Sequence, residues 1–312
     1  MRIRNGKDMG KVLVLMSTYN GEKYLKFQLD SIRKQTIYDN IYILVRDDGS
    51  TDRTVDILSD YAKDGHLKYF VGENIGSAKS FHELLKYADR TDFYAFADQD
   101  DVWLPNKIET ALKWLVKKDV PAAYGCSKNI VDDNLMCTNI EDVYPPQGYL
   151  NTMCKVNAVS GCTMVFNHRL REMYLECPKI LDTIYHDSYM WKLASTVGEV
   201  FFDHGKYILY RQHGDNTVGA LKYGKDLFFK RLKKLLMTKE YRKNRLLSQL
   251  AFIWYETYNN CIPEDKQRIL NELGNVNSSW IMRLKLIRES GLDIFPLYEY
   301  FGIKMRIILG WI

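Results

Sequence analysis

The chain has 312 residues, 46% of them apolar and 27% charged, and a formal charge of +5. That is the composition of an ordinary globular protein, long enough for one large domain plus an appendage. The charge is uneven: Lys222 to Arg245 holds ten Lys or Arg against two acids, a local +8 that leaves −3 for the rest, which excludes a nucleic-acid-binding coat and predicts one basic face.

No apolar run reaches the ~18 residues a membrane span needs, and the polar, basic start from Met1 to Lys11 is unlike a secretory signal. A cytoplasmic protein is expected. The six cysteines include no C-x-x-C pair, so they read as reduced packing residues and not as a disulfide framework or zinc site.

In chain order, Val12-Leu13-Val14-Leu15-Met16 reads as a strand buried on both faces. It ends at Ser17-Thr18-Tyr19-Asn20-Gly21. Leu25, Leu29 and Ile32, at i, i+4 and i+7, then predict a helix with one apolar stripe. Ile41 to Val45 is a second strand, ending at Arg46-Asp47-Asp48-Gly49-Ser50-Thr51-Asp52, with a helix marked by Val55, Leu58 and Ala62 behind it. Leu67 to Val71 is a third, leading to Glu73-Asn74-Ile75-Gly76-Ser77 and a helix carrying Phe81, Leu84, Leu85 and Ala88. Phe93 to Ala97 is the fourth. This alternation predicts an α/β fold, a mostly parallel sheet with helices on both faces, whose strand ends converge on one cleft. Neither G-x-G-x-x-G nor G-x-x-x-x-G-K-[ST] occurs, which disfavours a dinucleotide oxidoreductase or a P-loop NTPase.

The fourth strand runs into Asp98-Gln99-Asp100-Asp101-Val102-Trp103. Three carboxylates in four residues repel one another unless a cation joins them, and a hard divalent ion, Mg2+ or Mn2+, suits that chemistry. The alternative is that the aspartates cap the following helix. Asp48 is likewise either a contact for a base or ribose or a turn residue. Pro105 fits a first helical turn, followed by Ile108, Leu112 and Leu115 on a helix.

From Pro121 to Leu150 the pattern weakens. Pro145-Pro146-Gln147-Gly148 marks a long loop, either a lid or plain surface irregularity. After a Ser160-Gly161 turn, Cys162 to Phe166 reads as a strand, and Tyr185 to Met190 opens a helix with Met190, Leu193 and Val197 apolar. Asp187 is either the N-cap of that helix or a general base fixed at the mouth of the cleft. Phe201-Phe202-Asp203 and Tyr207 to Tyr210 predict a closing hairpin that ends at Arg211-Gln212-His213. His213 is either a metal or phosphate contact or an exposed loop histidine.

Ser17 to Gly21, Arg46 to Asp52, Asp98 to Trp103, His186-Asp187 and Tyr210 to His213 together follow the order of motifs in the inverting glycosyltransferase family 2 of the GT-A fold. The pattern resembles in particular the bacterial rhamnosyltransferase-like branch of polysaccharide biosynthesis, over the first two-thirds of the chain. The resemblance implies that Thr18, Tyr19 and Asn20, with Asn74 and Gln99, line the nucleotide-sugar pocket and that Asp48 meets the base or ribose. It implies Asp98 on the ribose or a metal-bound water, Asp100 as the direct metal ligand, Asp101 as a second ligand or a cap, and His213 as a third metal-site residue. Asp187 stands where the family keeps its catalytic base. Trp103, Gly161 and Arg211 are candidate donor or acceptor contacts. The Gln/Arg-x-x-Arg-Trp motif of processive synthases is absent; Arg211-Gln212-His213 stands in its place.

The implied activity is metal-dependent inverting transfer of a sugar, L-rhamnose from dTDP-L-rhamnose, to a saccharide acceptor, commonly lipid-linked; a UDP-hexose donor is the nearest alternative. A nucleotidyltransferase also uses paired aspartates and a metal, but usually brings a Gly-rich basic loop where Ser17-Thr18-Tyr19-Asn20 stands. A non-catalytic nucleotide-sugar-binding protein gives no reason for Asp187 and His213 to accompany the aspartates.

The expected organisation is a catalytic domain over 1–220, with its nucleotide half at about 1–104 and its acceptor half at about 105–220, and a helical C-terminal region over 221–312. Phe228, Leu232 and Leu235 with the surrounding lysines predict an amphipathic helix within 221–245. It lies either on an anionic membrane or against the catalytic domain. Leu246 to Tyr258 and Ile281 to Ile287 predict further helices, and the apolar end from Ile294 to Ile312 predicts docking or a homodimer contact.

Overall fold

The computed structural model describes residues 9–140, 142, 144–155, 159–177, 184–213, 246–288 and 297–311. The basic stretch 222–245 lies outside them. Strands β1 (Val12–Thr18), β2 (Ile41–Asp47), β3 (Leu67–Val71) and β4 (Phe93–Ala97) alternate with helices α1 (Leu25–Arg33), α2 (Thr54–Ala62) and α3 (Ser77–Tyr87). Then come β5 (Val102–Trp103), α4 (Lys107–Leu115), β6 (Ala122–Val131), α5 (Tyr149–Cys154), β7 (Val165–Asn167), α6 (His168–Glu176), α7 (His186–Val197) and β8 (Glu199–Arg211). Among the described residues four helices follow: α8 (Leu246–Tyr258), α9 (Glu264–Gly274), α10 (Trp280–Arg288) and α11 (Leu297–Leu309).

One eight-stranded sheet has the order β3-β2-β1-β4-β7-β6-β8-β5. The first four strands pair in parallel, β7 is antiparallel to β4 and to β6, β6 and β8 are parallel, and β5 is antiparallel to β8. Only four residues separate β4 from β5, yet β5 pairs with the far edge. The aspartate segment therefore bridges β4 and β8 across the mouth of the curled sheet.

Side-chain alternation assigns the two faces. Val12, Val14 and Met16 of β1, with Phe93, Ala95 and Ala97 of β4, pack on α1, α2 and α4. Leu15, Tyr94 and Phe96 point the other way, into a core shared with α3, α5, α6 and α7. Leu25, Leu29 and Ile32 are fully buried, the stripe predicted for α1, and each contributes roughly 1.5–3 kcal/mol by leaving water. The second core continues through Leu250, Ala251 and Trp254 of α8, Leu270 and Leu273 of α9, Leu286 of α10, and Ile303 and Ile307 of α11. Trp254 Nε1 donates to Tyr189 Oη at 2.9 Å, tying α8 to α7. Among the described residues no helix is long and apolar enough to cross a membrane.

The acceptor side differs from expectation in three elements. Residues 121–150, where the sequence pattern weakens and no strand is expected, contain the ten-residue strand β6. Residues Cys162 to Phe166 divide into a 3-10 turn, Gly161–Thr163, and the three-residue strand β7. The expected hairpin over 201–210 is one continuous strand, β8. Its His204 and Gly205 are extra residues relative to β6, because Cys126 pairs with Asp203 and Ser127 with Lys206. They are a bulge in the ladder and not a turn.

Candidate active site

The loops after β1, β2 and β3 are fastened to one another by side chains acting as backbone partners. Asp47 accepts from Thr18 Oγ1 at 2.8 Å, Ser50 N at 2.8 Å and Ser50 Oγ at 2.6 Å. Asn20, in the left-handed conformation (φ +46°) that Asn tolerates better than most residues, accepts from Thr51 N at 2.9 Å; its own N–H donates to Ser50 Oγ at 2.8 Å. Gln99 closes a reciprocal pair with the Tyr19 backbone, accepting from Tyr19 N at 2.9 Å and donating to Tyr19 O at 3.0 Å. The Tyr19 ring is left 47% exposed.

Asp48 is buried. It accepts from the Arg46 guanidinium, from Ile75 N at 3.2 Å and from Gly76 N at 2.9 Å, the last at the N-terminus of α3, where a carboxylate is favoured. The preceding turn needs Gly49, whose φ is +80° and whose added Cβ would stand 3.2 Å from Gly72 O. Asn74 is exposed in the same loop.

The aspartates beyond β4 take distinct positions. Asp100 Oδ2 lies 2.8 Å from His213 Nε2, a partner 113 residues away, whose ring packs tilted against Tyr24 with centroids 4.7 Å apart. Asp101 is fully buried; Oδ1 accepts from Arg211 N at 3.1 Å, and Oδ2 has no hydrogen-bond partner among the described residues. Because α4 begins only at Lys107, Asp101 does not cap it. Arg211 is buried across the bridge: Nε donates to Asp100 O at 2.9 Å, Nη1 donates to Asp133 O, and the guanidinium lies over Tyr24.

Asp98 is half-buried, and its carboxyl is pushed up to about 7 by burial first and then by the charges of Asp100 and Asp187. Burial, with the Asp100 and Asp98 charges, raises Asp101 well above the usual range. Ligand atoms of Asp98, Asp101 and Cys162 all lie within 4.8 Å of one another.

These groups fit a hard divalent cation. A buried, unpartnered carboxylate oxygen and a carboxyl held near neutrality both call for positive charge. Neighbouring ligands at about 2.1 Å from one ion stand about 3 Å apart, which suits Asp100 Oδ2 and His213 Nε2. Cys162 suits it least: burial raises its thiol well above the usual range, and a neutral sulfur is a poor ligand for Mg2+ or Mn2+.

Asp187 comes from the other side of the mouth, in the first turn of α7. It is not the cap, which is Tyr185. Its Oδ2 accepts from Gly161 N at 3.0 Å and its Oδ1 from Ser188 N at 2.6 Å. Gly161 permits that approach, since an added Cβ would stand 2.8 Å from His186 Nε2 and 3.3 Å from Asp187 Cβ. Lys192 Nζ fixes the same turn, donating to Ser188 Oγ at 2.8 Å and Lys155 O at 2.6 Å.

Of the residues the sequence picks out, Trp103 belongs elsewhere. It is 2% exposed, donates its backbone N–H to Ser31 Oγ and carries the Lys107 ammonium 3.7 Å from its ring; as a core residue it does not line the cleft. Three residues of this region are given no role by the sequence reading, and a fourth, His186, enters it only as the neighbour of Asp187. Lys107 is fully buried, with its ammonium drawn down to about 8 by burial. Lys128 Nζ donates to Ser160 Oγ and lies 3.5 Å from Asp142. Cys162 Sγ lies within 4.8 Å of carboxylate oxygens of Asp98 and Asp101. His186 stacks on Phe81 with ring centroids 3.9 Å apart; neither ring nitrogen has a hydrogen-bond partner among the described residues, and burial draws it down to about 4. Only His186 had a signal, its place beside Asp187.

The profile of glycosyl transferase family 2 matches residues 13–175. The chain belongs to glycosyl transferase family 2. Within the family it is 32% identical over 232 residues to the dTDP-rhamnosyl transferase RfbG of Shigella flexneri, covering 66% of this chain and 74% of that one. It is 31% identical over 160 residues to the UDP-Glc:alpha-D-GlcNAc-diphosphoundecaprenol beta-1,3-glucosyltransferase WfgD of Escherichia coli, covering 51% and 61%. Among solved structures, S. aureus TarS 1–349 in complex with UDP-GlcNAc superposes with a TM-score of 0.56 at 17% identity, over 96% of this chain and 90% of that one. This family 2 glycosyltransferase has the GT-A-like fold, a largely parallel, curled sheet between helices with a helical C-terminal extension.

Proposed function

We propose that the chain is a metal-dependent inverting transferase that moves L-rhamnose from dTDP-L-rhamnose to a hydroxyl of a lipid-linked saccharide acceptor in bacterial cell-surface polysaccharide synthesis. The observation that carries the reaction type is the meeting of two acidic groups from opposite sides of one mouth: the Asp98–Asp101 bridge, with His213 on Asp100, and Asp187 on α7. The donor assignment rests on the likeness to RfbG over most of both chains. A UDP-hexose donor is the second reading, favoured by the shorter likeness to WfgD.

In this reading Thr18, Tyr19, Asn20, Asn74 and Gln99 border the nucleotide, with the exposed Tyr19 ring available for stacking on the base. Asp48 acts through its loop, holding Ile75 N and Gly76 N in place beside Asn74. Asp100 and His213, with Asp98, hold the Mg2+ or Mn2+. When bound, the ion supplies positive charge to the diphosphate as it leaves. Arg211 positions the bridge from behind through the Asp100 carbonyl and the Asp101 carboxylate.

Asp187 accepts the proton of the acceptor hydroxyl. The acceptor oxygen bonds to the anomeric carbon while the bond from that carbon to the diphosphate oxygen breaks on the opposite face, so the centre inverts. Each Asp187 oxygen spends one lone pair on a backbone N–H and keeps another for this proton.

A thermal-shift panel tests the reading with dTDP-rhamnose, UDP-glucose, UDP-galactose and UDP-GlcNAc, each with Mg2+, Mn2+ or chelator. Stabilisation by dTDP-rhamnose that chelator removes, and that Asp100→Asn abolishes, is expected. Preferential stabilisation by a UDP-sugar overturns the donor, and indifference to metal overturns the cation site.

A further inference from the structure

All of α7 is buried except Asp187, so the helix enters the core whole and shows only its acidic residue to the mouth. Most of its side chains suit that place. Tyr189, Met190, Trp191 and Leu193 join the apolar cluster, and Ser195 and Thr196 return their hydroxyls to the helix carbonyls of Trp191 and Lys192. Lys192 itself does not suit it: the side chain is 6% exposed, and burial draws its ammonium down to about 8, which leaves it protonated at neutral pH. A methionine would fill the same length without the desolvation of a charge. Packing gives no reason for the lysine.

Its contacts do. Nζ reaches back one turn, the direction in which helical side chains lean, and donates to Ser188 Oγ at 2.8 Å. It also donates to Lys155 O at 2.6 Å, at the C-cap of α5, from which the chain runs on to Ser160 and Gly161. Those two pieces of chain are the ones that grip the Asp187 carboxylate, Ser188 N holding Oδ1 and Gly161 N holding Oδ2. The ammonium therefore ties together both halves of that grip. Cys154 and Asp187 are the anionic groups that act on it, and burial pushes the Cys154 thiol up to about 12, so that thiol is neutral. Asp187 remains as its counter-charge.

We propose that Lys192 is a positioning residue for sugar transfer: its buried ammonium braces the first turn of α7 against the end of α5 and, as counter-charge to Asp187, holds that carboxylate where the acceptor hydroxyl arrives. This rests on the reading of Asp187 as the general base and stands whichever sugar the enzyme transfers.

A double-mutant cycle on the full chain tests it, with Lys192→Met, Asp187→Asn and the pair of them. The readout is release of nucleoside diphosphate, with water as the acceptor and Mg2+ present, from dTDP-rhamnose or from the UDP-sugar that stabilises the chain better. Lys192→Met is expected to lower kcat about 10- to 100-fold, the usual result of misplacing a reacting group, at constant donor KM. Its melting temperature does not fall, because a buried charge has been removed. In the Asp187→Asn background the same substitution adds no further loss, since no base is left to place. A full further loss in that background overturns the proposal, as does wild-type kcat in Lys192→Met or a loss that appears only in donor KM. Wild-type release by Asp187→Asn removes the base, and the proposal with it, a result distinct from the others. Lys192→Gln, which keeps a hydrogen-bond donor and lacks the charge, runs the same cycle under the same criteria if the methionine variant does not fold.

Discussion

The nucleotide loops and the reacting end of the cleft use their polar atoms differently. On the nucleotide side, the carboxylates of Asp47 and Asp48 and the amides of Asn20 and Gln99 are engaged with loop backbone, neighbouring hydroxyls or Arg46. Where the chemistry is placed, at the aspartate bridge and at α4 and α7 around it, Asp101 Oδ2, the Lys107 ammonium and both His186 nitrogens are buried without hydrogen-bond partners among the described residues, and Asp98 is pushed up to about 7. One side is thus complete before any ligand arrives, while the other holds unfavourable charge and dipoles that a cation and two substrates would relieve. Substitutions on the first side should act mainly on stability, and those on the second mainly on chemistry.

Asp187→Asn is expected to give the largest effect. Sugar transfer falls ~10²- to 10⁴-fold with donor affinity nearly unchanged, because the amide keeps a hydrogen-bonding shape and loses the proton acceptor; single-turnover rates beside donor titration check it. Wild-type turnover in this variant would remove Asp187 from the chemistry.

Asp48→Ala should act through the fold instead. It strands the Arg46 guanidinium, 7% exposed, without its carboxylate, and by the usual cost of breaking a buried pair unfolding becomes about 3–5 kcal/mol easier. Denaturant midpoints measure this. A large fall in activity at unchanged stability would blur the contrast between the two sides.

His186 gives a pH test of intermediate size. Its folded value, about 4, lies below the ordinary 6.5, so the unfolded chain binds its proton first as pH falls. The histidine therefore costs nothing above pH 6.5, and stability is lost progressively as pH drops from 6.5 towards 4, by roughly 3 kcal/mol in all. His186→Phe, which keeps the stack on Phe81, should lack this loss; the comparison is between the pH dependences of the two chemical denaturation midpoints. Parallel curves would show that the imidazole is hydrated or paired.

The smallest effect is expected from Gly161→Ala. The new Cβ would stand 2.8 Å from Nε2 of the buried His186 ring and 3.3 Å from Asp187 Cβ, so the ring or the turn has to shift, costing about 1–3 kcal/mol of packing. Displacing the Asp187 carboxylate should lower transfer by about 10- to 100-fold, measurable as a fall in kcat at constant donor KM.

Much of the nucleotide side was legible from the residues. Each strand from β1 to β4 is a compact apolar run followed by a polar motif and a helix with apolar residues three and four apart, so periodicity alone finds them. The acceptor side was not. Strand β6 is Ala-Ala-Tyr-Gly-Cys-Ser-Lys-Asn-Ile-Val, with small and polar residues where a strand signal is expected. They are there because the space is taken: an added Cβ on Gly125 would stand 2.8 Å from Val159 and 3.1 Å from Trp191. Strand β8 hides its continuity behind His204-Gly205, which reads as a turn locally and is absorbed as a bulge only because β6 lies alongside.

The sequence by itself determined the layer order of the nucleotide half, the helix Leu246–Tyr258 and the residue types at the cleft, since each is written in a local period or a contiguous motif. The tertiary structure decided which of those residues meet. Asp100 and His213 are 113 residues apart and become neighbours only because β5 pairs with the far edge of the sheet. The same crossover sends Trp103, two residues past the aspartates, into the core, and leaves Asp101 buried behind Asp100. Burial and long-range pairing arise from how strands close on one another, and no local pattern encodes them.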